Sequence, residues 1–334
     1  MATLATVAVN GARTRARDAK RISDMKQIST ALEMYYADYT AYPNIITPGQ
    51  PLVSADGSKT YMAKVPNNPT PRAEGACADL EYQYSAGNDN YSLIGCLSKA
   101  VGDVPAGSRK MEKGGQARDL GPTNGLVGWW MLDGVTGTKD LSGGGNNGAL
   151  TMGTSTIVTS TGRFGEASGA YEFNGVNNYI DLFINSTGNF NNYITVSFWV
   201  KPGPYLSHYT GWLTYGTIAS KQLAIWRQDA THLYHAIDLA GTGGQINFIT
   251  LQNVLENNWH HYVMVVTGSK AESYLDESYK SSLNFSGTIP TFNSLRLGAW
   301  GAAAFDNSVF SDLRIYNRAL SSTEVSALYN ATKP

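Results

Sequence analysis

The sequence predicts two folded parts of different class: an α+β part, in which a long N-terminal helix packs on a small antiparallel sheet, followed by an all-β sandwich. Three observations carry this. Apolar side chains recur every three or four residues through "ARTRARDAKRISDMKQISTALEMYYADYTAYP", Ala12 to Pro43. Short alternating runs punctuated by Gly, Asn and Ser fill the chain after Gly125. Between the two parts, "DVPAGSRKMEKGGQARDLGPTN" lacks periodicity and is rich in Gly, Pro and charge, which reads as a linker. The expected division is therefore 1–102, a linker at 103–124, and 125–334.

At 334 residues the chain can give each part its own hydrophobic core. A formal charge of -1 and a charged fraction of 15% argue against the broad basic face of a nucleic-acid binder. No nucleic-acid partner is expected.

The helix is expected to span about residues 2–42. Its apolar stripe is Ile22, Met25, Ile28, Leu32, Tyr35, Tyr36 and Tyr39, with Arg17, Lys20, Lys26 and Glu33 opposite. Pro43 ends the pattern, because a proline disfavours helical geometry in the residue before it. Upstream, "ATLATVAV", Ala2 to Val9, is uncharged and mostly small or apolar. It reads as the last part of a longer apolar helix, although no stretch reaches the roughly 18 apolar residues of a membrane span. Just past it stand Arg13, Arg15, Arg17, Lys20 and Arg21, placed to meet anionic headgroups or acidic neighbours; a solvated charged face is the alternative.

After the helix, the turn "VPNNP" and the strand-like runs "LEYQYS" and "NYSLIGCL" complete the α+β part. Its cysteines, Cys77 and Cys96, have no CxxC or Cys/His metal spacing around them. A disulfide is expected, with free buried thiols as the alternative. A closed loop of that length would stabilise by about 3 kcal/mol and would imply an oxidising compartment.

In the sandwich, "ITVSFWVK" puts Ile194, Val196, Phe198 and Val200 on one face and Thr195, Ser197, Trp199 and Lys201 on the other. Trp129, Trp130, Trp199 and Trp259 are expected in the core. "SSTEVSALYN" is the only helical run, with Ser322 or Thr323 as its cap. The segment "GPYLSHYTGW" concentrates Tyr205, His208, Tyr209 and Trp212 without a strand's alternation, and its rings offer flat faces on which sugars stack. A patch packed against the first part explains the same residues. Trp226 and Trp300 are weaker candidates of the same kind. Catalysis is not expected: no ExDxE run, GxSxG, HExxH or phosphate-binding glycine loop is present.

The helix, "VPNNP", "YQYS" and "YSLIGCL" together resemble the type IV pilin family, most closely its major pseudopilin-like members, over roughly residues 2–100. The resemblance implies a filament subunit whose helix packs with other copies of itself or other pilins, here through Leu4, Val7, Val9, Arg13 and Arg17. It implies storage in the membrane before assembly, and an extracellular, cell-surface location afterwards. The family's "FTLIE"-like opening with its glutamate is absent, so no registry glutamate is assigned.

From Gly125 to Tyr329 the chain resembles the laminin-G-like, concanavalin A-like jelly-roll family. The carrying blocks are "GLVGWWMLDGVTGTKDLSGGGNNGAL", "RFGEASGAYEFNGVNNYIDL", "ITVSFWVKP", "NNWHHYVMVV", "SYLDE" and "SDLRIYNRALSSTEVSALY". This resemblance implies adhesion to a glycan or a cell-surface protein. It also implies one structural Ca2+, for which Asp133, Asp140, Asn147 and Asp312 are the candidate ligands, with Ser311 where relatives carry a second acid; Asx-type turns are the alternative. His260 and His261 lie in a strand motif that relatives share as structure. A minor tip adhesin, or a secreted carbohydrate-binding protein that does not polymerise, is the alternative function; a glycoside hydrolase is a remoter one.

Overall fold

The computed structural model describes residues 2–75, 77, 81–86, 90–101, 106–115, 117–134, 136–142, 144–152, 158–165, 168–184, 190, 193–206, 208–215, 223–229, 232–238, 245–252, 256–284, 293–301 and 304–334. The chain forms two compact units, Met1–Asn124 with Asn330–Thr332, and Gly125–Tyr329 with Lys333–Pro334.

The first unit opens with helix α1 (Ala2–Tyr39). Thr40 ends it in the left-handed region at φ 53°, its N–H donating to the Tyr36 carbonyl at 2.7 Å, so the helix stops before proline acts. Two short strands follow, β1 (Leu52–Val53) and β2 (Thr60–Met62). A four-stranded sheet then runs β3 (Gln83–Ala86), β4 (Tyr91–Leu97), β5 (Gly107–Met111) and β6 (Ala117–Asp119) in order. Met25, Ile28, Leu32 and Tyr35 are buried in a core shared with Tyr82, Tyr91, Leu93 and Met111. Gly95 is what lets helix and sheet approach, since a Cβ there would stand 2.6 Å from the Met25 sulfur. Ile22 and Tyr36 are half-buried and Tyr39 is exposed, so the apolar stripe is narrower than the periodicity predicts.

Two expectations are corrected here. The 103–124 linker contains β5 and β6, which complete the sheet. Their charges misled: Arg109 and Lys110 are buried, with Lys110 paired to Glu112 at 2.5 Å. The basic group on α1 is also only partly free. Arg21 is fully buried, donating to Asp18, Asn68, Ser98 and the Pro69 and Pro71 carbonyls. Arg17, expected to pack in a filament, is tied to Glu74 at 2.5 Å, and this bond is the main reason the Glu74 carboxyl is lowered. Arg13 and Val9 are exposed; the side chains of Leu4 and Val7 lie outside the described residues. Cys77 and Cys96 form the expected disulfide, next to the paired backbone of Glu74 and Cys77. No described helix is long and apolar enough to cross a membrane.

The second unit opens with β7 (Leu126–Trp130), β8 (Gly148–Met152), β9 (Val158–Ser160), β10 (Ala170–Glu172) and β11 (Asn178–Phe183). It continues through β12 (Ile194–Lys201), β13 (Thr210–Tyr215), β14 (Leu223–Arg227), β15 (His232–Asp238) and β16 (Gln245–Gln252). Next come β17 (His260–Val266), β18 (Lys270–Leu275), β19 (Ser278–Asn284), β20 (Ser294–Leu297) and the short pair β21 (Ala299–Trp300) and β22 (Ala304–Phe305). β23 (Val309–Tyr316) and α2 (Ser322–Thr332) close the chain. One sheet is ordered β19-β18-β17-β12-β23-β10-β9, with β7 also on β23; the other is β16-β15-β14-β13-β20-β11-β8. Their facing sides share one core, in which Ile180, Val196, Phe198, Leu213, Ile225, Leu297 and Phe310 meet. This is the concanavalin-like jelly roll that the sequence predicts.

Trp129, Trp130 and Trp199 are buried as expected, and Trp259 is half-buried. On β12 the second face is buried as well. Val325 and Leu328 of α2 cover Val263, Val265 and Tyr316, and Tyr329 stacks on Trp199 at 5.7 Å. The cap of α2 is Ser321 rather than Ser322 or Thr323, because Ser321 and Glu324 complete a reciprocal capping box.

Candidate ligand-binding face

Trp212, expected to stack on a ligand, is a core residue with no exposure. A bulge between Gly211 and Leu213 is the cause: it breaks the strand's alternation, so Trp212 and Leu213 both join the core. Gly211 permits the close approach there, as a Cβ would lie 2.7 Å from the Trp300 backbone nitrogen. The Trp212 indole donates to Asp306 at 3.2 Å, beside the Thr210 hydroxyl at 2.5 Å and the Ser308 N–H at 2.7 Å. Burial raises the Asp306 carboxyl despite those donors.

The other three residues of that segment lie nearer the surface. Tyr209 is 38% exposed and meets Trp300 edge-on at 6.0 Å. His208 is exposed, with Nδ1 2.9 Å from the Leu206 carbonyl. Tyr205 is half-buried: its N–H donates to Glu256 at 2.8 Å, and Arg227 lies 5.4 Å over its ring. Arg227 also donates to the Gly203 carbonyl at 2.6 Å and to Glu256 at 2.5 Å, fixing the segment to β14.

The seven-stranded sheet explains why Tyr209 stands where it does. Alternation sends Ile225, Leu213, Leu297 and Ile180 into the core and the row Ala224, Thr214, Arg296, Asp181 and Ala149 to the outward face. The β21–β22 hairpin lies across that face, with Trp300 5.1 Å from Trp226 and Phe305 6.3 Å from Tyr179. Trp226 continues to Tyr234 at 5.5 Å, and Tyr234 to His232 at 6.4 Å. A line of rings thus runs His232, Tyr234, Trp226, Trp300, Tyr209. Its two tryptophans are buried foundations, while Tyr209 is exposed and Tyr234 and His232 are half-exposed. Polar groups flank it: Gln228 accepts from the Trp226 indole at 2.9 Å, and Asp229 pairs with His232 at 2.8 Å. Such a rim offers stacking surface and hydrogen bonds together. The acids beside the face, Asp181, Asp229 and Glu256, are each tied to a basic side chain, which holds shape rather than supplying a free acid and base.

Sequence reasoning named Tyr209, Trp226 and Trp300 without the line that joins them. Tyr234 and His232, on β15, went unnamed, since only strand register places them beside Trp226.

Each of the four residues named for calcium is hydrogen-bonded within the chain. Among the described residues no group of three or more His, Cys, Asp or Glu is placed to hold a metal. Asp140 accepts from the backbone N–H groups of Trp129, Ser142 and Asn146 at 2.8 to 3.0 Å. Asn147 accepts from the Asp140 N–H, and Asp133 from the Thr136 N–H and hydroxyl. These are turn anchors. Asp312 sits in a bulge of β23 at φ 54°, which turns its carboxylate to Arg314 Nε at 2.7 Å, Arg163 Nη2 at 3.0 Å and the Trp129 indole at 2.9 Å. Burial alone would raise that carboxyl, but the charges of Arg314 and Arg163 outweigh it and hold it at about 2. Two buried cations thus neutralise this carboxylate. His261, bonded to Ser197 at 2.8 Å, is fully enclosed, and burial pushes it down to about 3. It is a neutral structural imidazole. His260 holds Asp276 at 2.7 Å in the β18–β19 turn.

The core rows, the two sheets and the covering helix define the fold closely enough to compare it. Residues 174–326 match the Laminin_G_3 family, the concanavalin A-like lectin/glucanases superfamily. The laminin-G-like unit is similar in fold to the binding domain of Paraclostridial Mosquitocidal Protein 1, with a TM-score of 0.52 at 20% identity over 63% of this chain and 52% of that one. It is similar to the binding domain of Botulinum neurotoxin DC in complex with rat synaptotagmin II, at 0.51 and 11% identity over 63% and 52%. The same domain in complex with SialylT gives 0.50 and 10% over 63% and 52%. The chain spans about half the length of these solved structures. No curated protein matches it.

Proposed function

We propose that this protein is a non-enzymatic, extracellular subunit of a type IV pilus-like surface filament, whose laminin-G-like unit binds a glycan or a protein. The observation that carries the binding half is the line of rings ending in exposed Tyr209, on a sheet face where Asp181 and Glu256 are each paired with an arginine. Solved structures of this fold include binding domains seen with a protein and with SialylT, and the same kind of use is proposed for this unit. The filament half rests on α1. Its 38 residues extend roughly 57 Å, and the first described side chains, from Val9 to Arg13, are exposed or half-exposed before Thr14 joins Glu74. The disulfide suits a location outside the cytoplasm.

Two measurements test this reading on the full chain. Glycan-array and host-protein binding should fall with Tyr209→Ala while thermal unfolding stays unchanged; equal binding by both proteins rejects the Tyr209 rim. Electron microscopy of the assembled protein should show filaments that Val9→Asp and Arg13→Glu disrupt. Soluble monomers under every assembly condition would favour a secreted binding protein instead.

A further inference from the structure

Asp306 is a fully enclosed acid beneath the Tyr209 rim, and its carboxylate is held by neutral donors. Oδ2 accepts from the Thr210 hydroxyl at 2.5 Å and the Trp212 indole at 3.2 Å, and Oδ1 from the Ser308 N–H at 2.7 Å. The backbone of the same residue closes the β21–β22 hairpin: its N–H donates to the Gly298 carbonyl at 2.9 Å, and its carbonyl accepts from the Gly175 N–H at 2.9 Å. Two more bonds hold the hairpin to β13, from the Gly298 N–H to the Trp212 carbonyl at 3.0 Å and from the Thr214 hydroxyl to the Ala299 carbonyl at 2.8 Å. Asp306 therefore stands where β13 and the foot of the hairpin meet. Tyr209 directly precedes Thr210, and Trp300 lies two residues past Gly298; these are the rings in edge contact at the end of the aromatic line.

A buried carboxylate that faces neutral donors is costly to ionise. β13 and the hairpin bring it no charge. Of the neighbouring elements, β10 carries exposed Glu172, β20 carries Arg296 paired with Asp181, and β23 carries Asp312 and Arg314 paired with each other. His208, before β13, faces the Leu206 carbonyl. Arg227 on β14 does act on Asp306, although its own hydrogen bonds go to the Gly203 and Asp229 carbonyls and to Glu256. Burial raises the Asp306 carboxyl by more than Arg227 and the donors lower it. Such a group stabilises the folded state below its ordinary value and loses that contribution as pH rises through the raised one. We propose that Asp306 is a proton-operated latch that positions the Tyr209 rim: with its proton it clamps β13 to the foot of the β21–β22 hairpin, and without it the hairpin loosens. The consequence for binding rests on the rim proposed above, whereas the latch itself does not.

The test needs no ligand. Hydrogen exchange of the full-length protein, corrected for the intrinsic pH dependence, reads opening at the Gly298 and Asp306 amides. Their protection, relative to that of β12, should fall about tenfold or more between about pH 4.5 and about pH 8. Asp306→Asn keeps an acceptor for Ser308 and cannot ionise, so its relative protection should stay flat over that range. Flat protection in the wild type, or an equal fall in Asp306→Asn, overturns the latch. Should the variant fail to fold, carbon-13 NMR of the Asp306 carboxyl decides: a midpoint above the ordinary aspartate value of about 4 is expected, and one at or below it overturns the proposal. Failure here leaves the binding test of the rim standing, and binding indifferent to Tyr209→Ala would reject the rim while the exchange profile still supported the latch.

Discussion

Asp312→Asn is the most incisive perturbation of the laminin-G-like unit. The carboxylate takes hydrogen bonds from Arg314 Nε and Nη2, Arg163 Nη2 and the Trp129 indole, all in a buried setting. Asparagine tolerates the left-handed backbone at this position and can still accept from Trp129, so neither backbone strain nor volume changes. What changes is charge: two buried guanidiniums lose their anion, and an amide N–H₂ is turned toward one of them. Removing one member of a buried ion pair costs about 3–5 kcal/mol. A smaller figure comes from the carboxyl itself, whose fall from 3.8 to about 2 corresponds to roughly 2 kcal/mol. The two differ because protonation removes the charge without reversing a donor, so the larger figure applies to the substitution. The sign for acid follows. A lowered carboxyl stabilises above its unfolded value and loses that contribution as pH falls from about 4 to 2. The assay is urea unfolding of the full chain read by tryptophan fluorescence, since all seven tryptophans lie after Gly125 and report on this unit alone. A loss below about 1 kcal/mol for Asp312→Asn would refute the argument. So would a wild type with flat stability between pH 4 and 2.

Four further outcomes are expected. Trp212→Ala should destabilise the unit by about 3–5 kcal/mol, whereas Tyr209→Ala should leave unfolding within about 0.5 kcal/mol, which urea titrations will separate. Reducing Cys77–Cys96, or replacing both with Ser, should lower the stability of the first unit by about 3 kcal/mol. Hydrogen exchange should then rise near Thr14 and Arg17, because Glu74 pairs with Cys77 and grips both. Gly95→Ala should cost about 1–3 kcal/mol through its clash with Met25, visible as a lower melting temperature. Ser321→Ala should cost about 1 kcal/mol by removing the α2 cap, and a stability unchanged by it would show that Arg318 and Glu324 suffice alone.

Periodicity made the long helix, the strands of the jelly roll and most of its tryptophan core legible in the sequence, because each depends on a repeating pattern of side chains facing one way. Ile194, Val196, Phe198 and Val200 enter the core together for that reason. The disulfide, too, was an expectation that the fold bears out. Where the pattern broke, tertiary structure decided. A bulge turned Trp212 inward and another turned Asp312 onto two arginines; a bulge needs a partner strand, which no local window contains. β5 and β6 looked like a linker because Arg109 and Lys110 on β5 are buried, and Lys110 paired with Glu112, only once the sheet assembles. Arg21 looked like a free cation until Asn68 and Ser98 joined Asp18 around it, the first two from distant parts of the chain. The aromatic line likewise arises from register across strands, which places side by side residues that the sequence keeps apart.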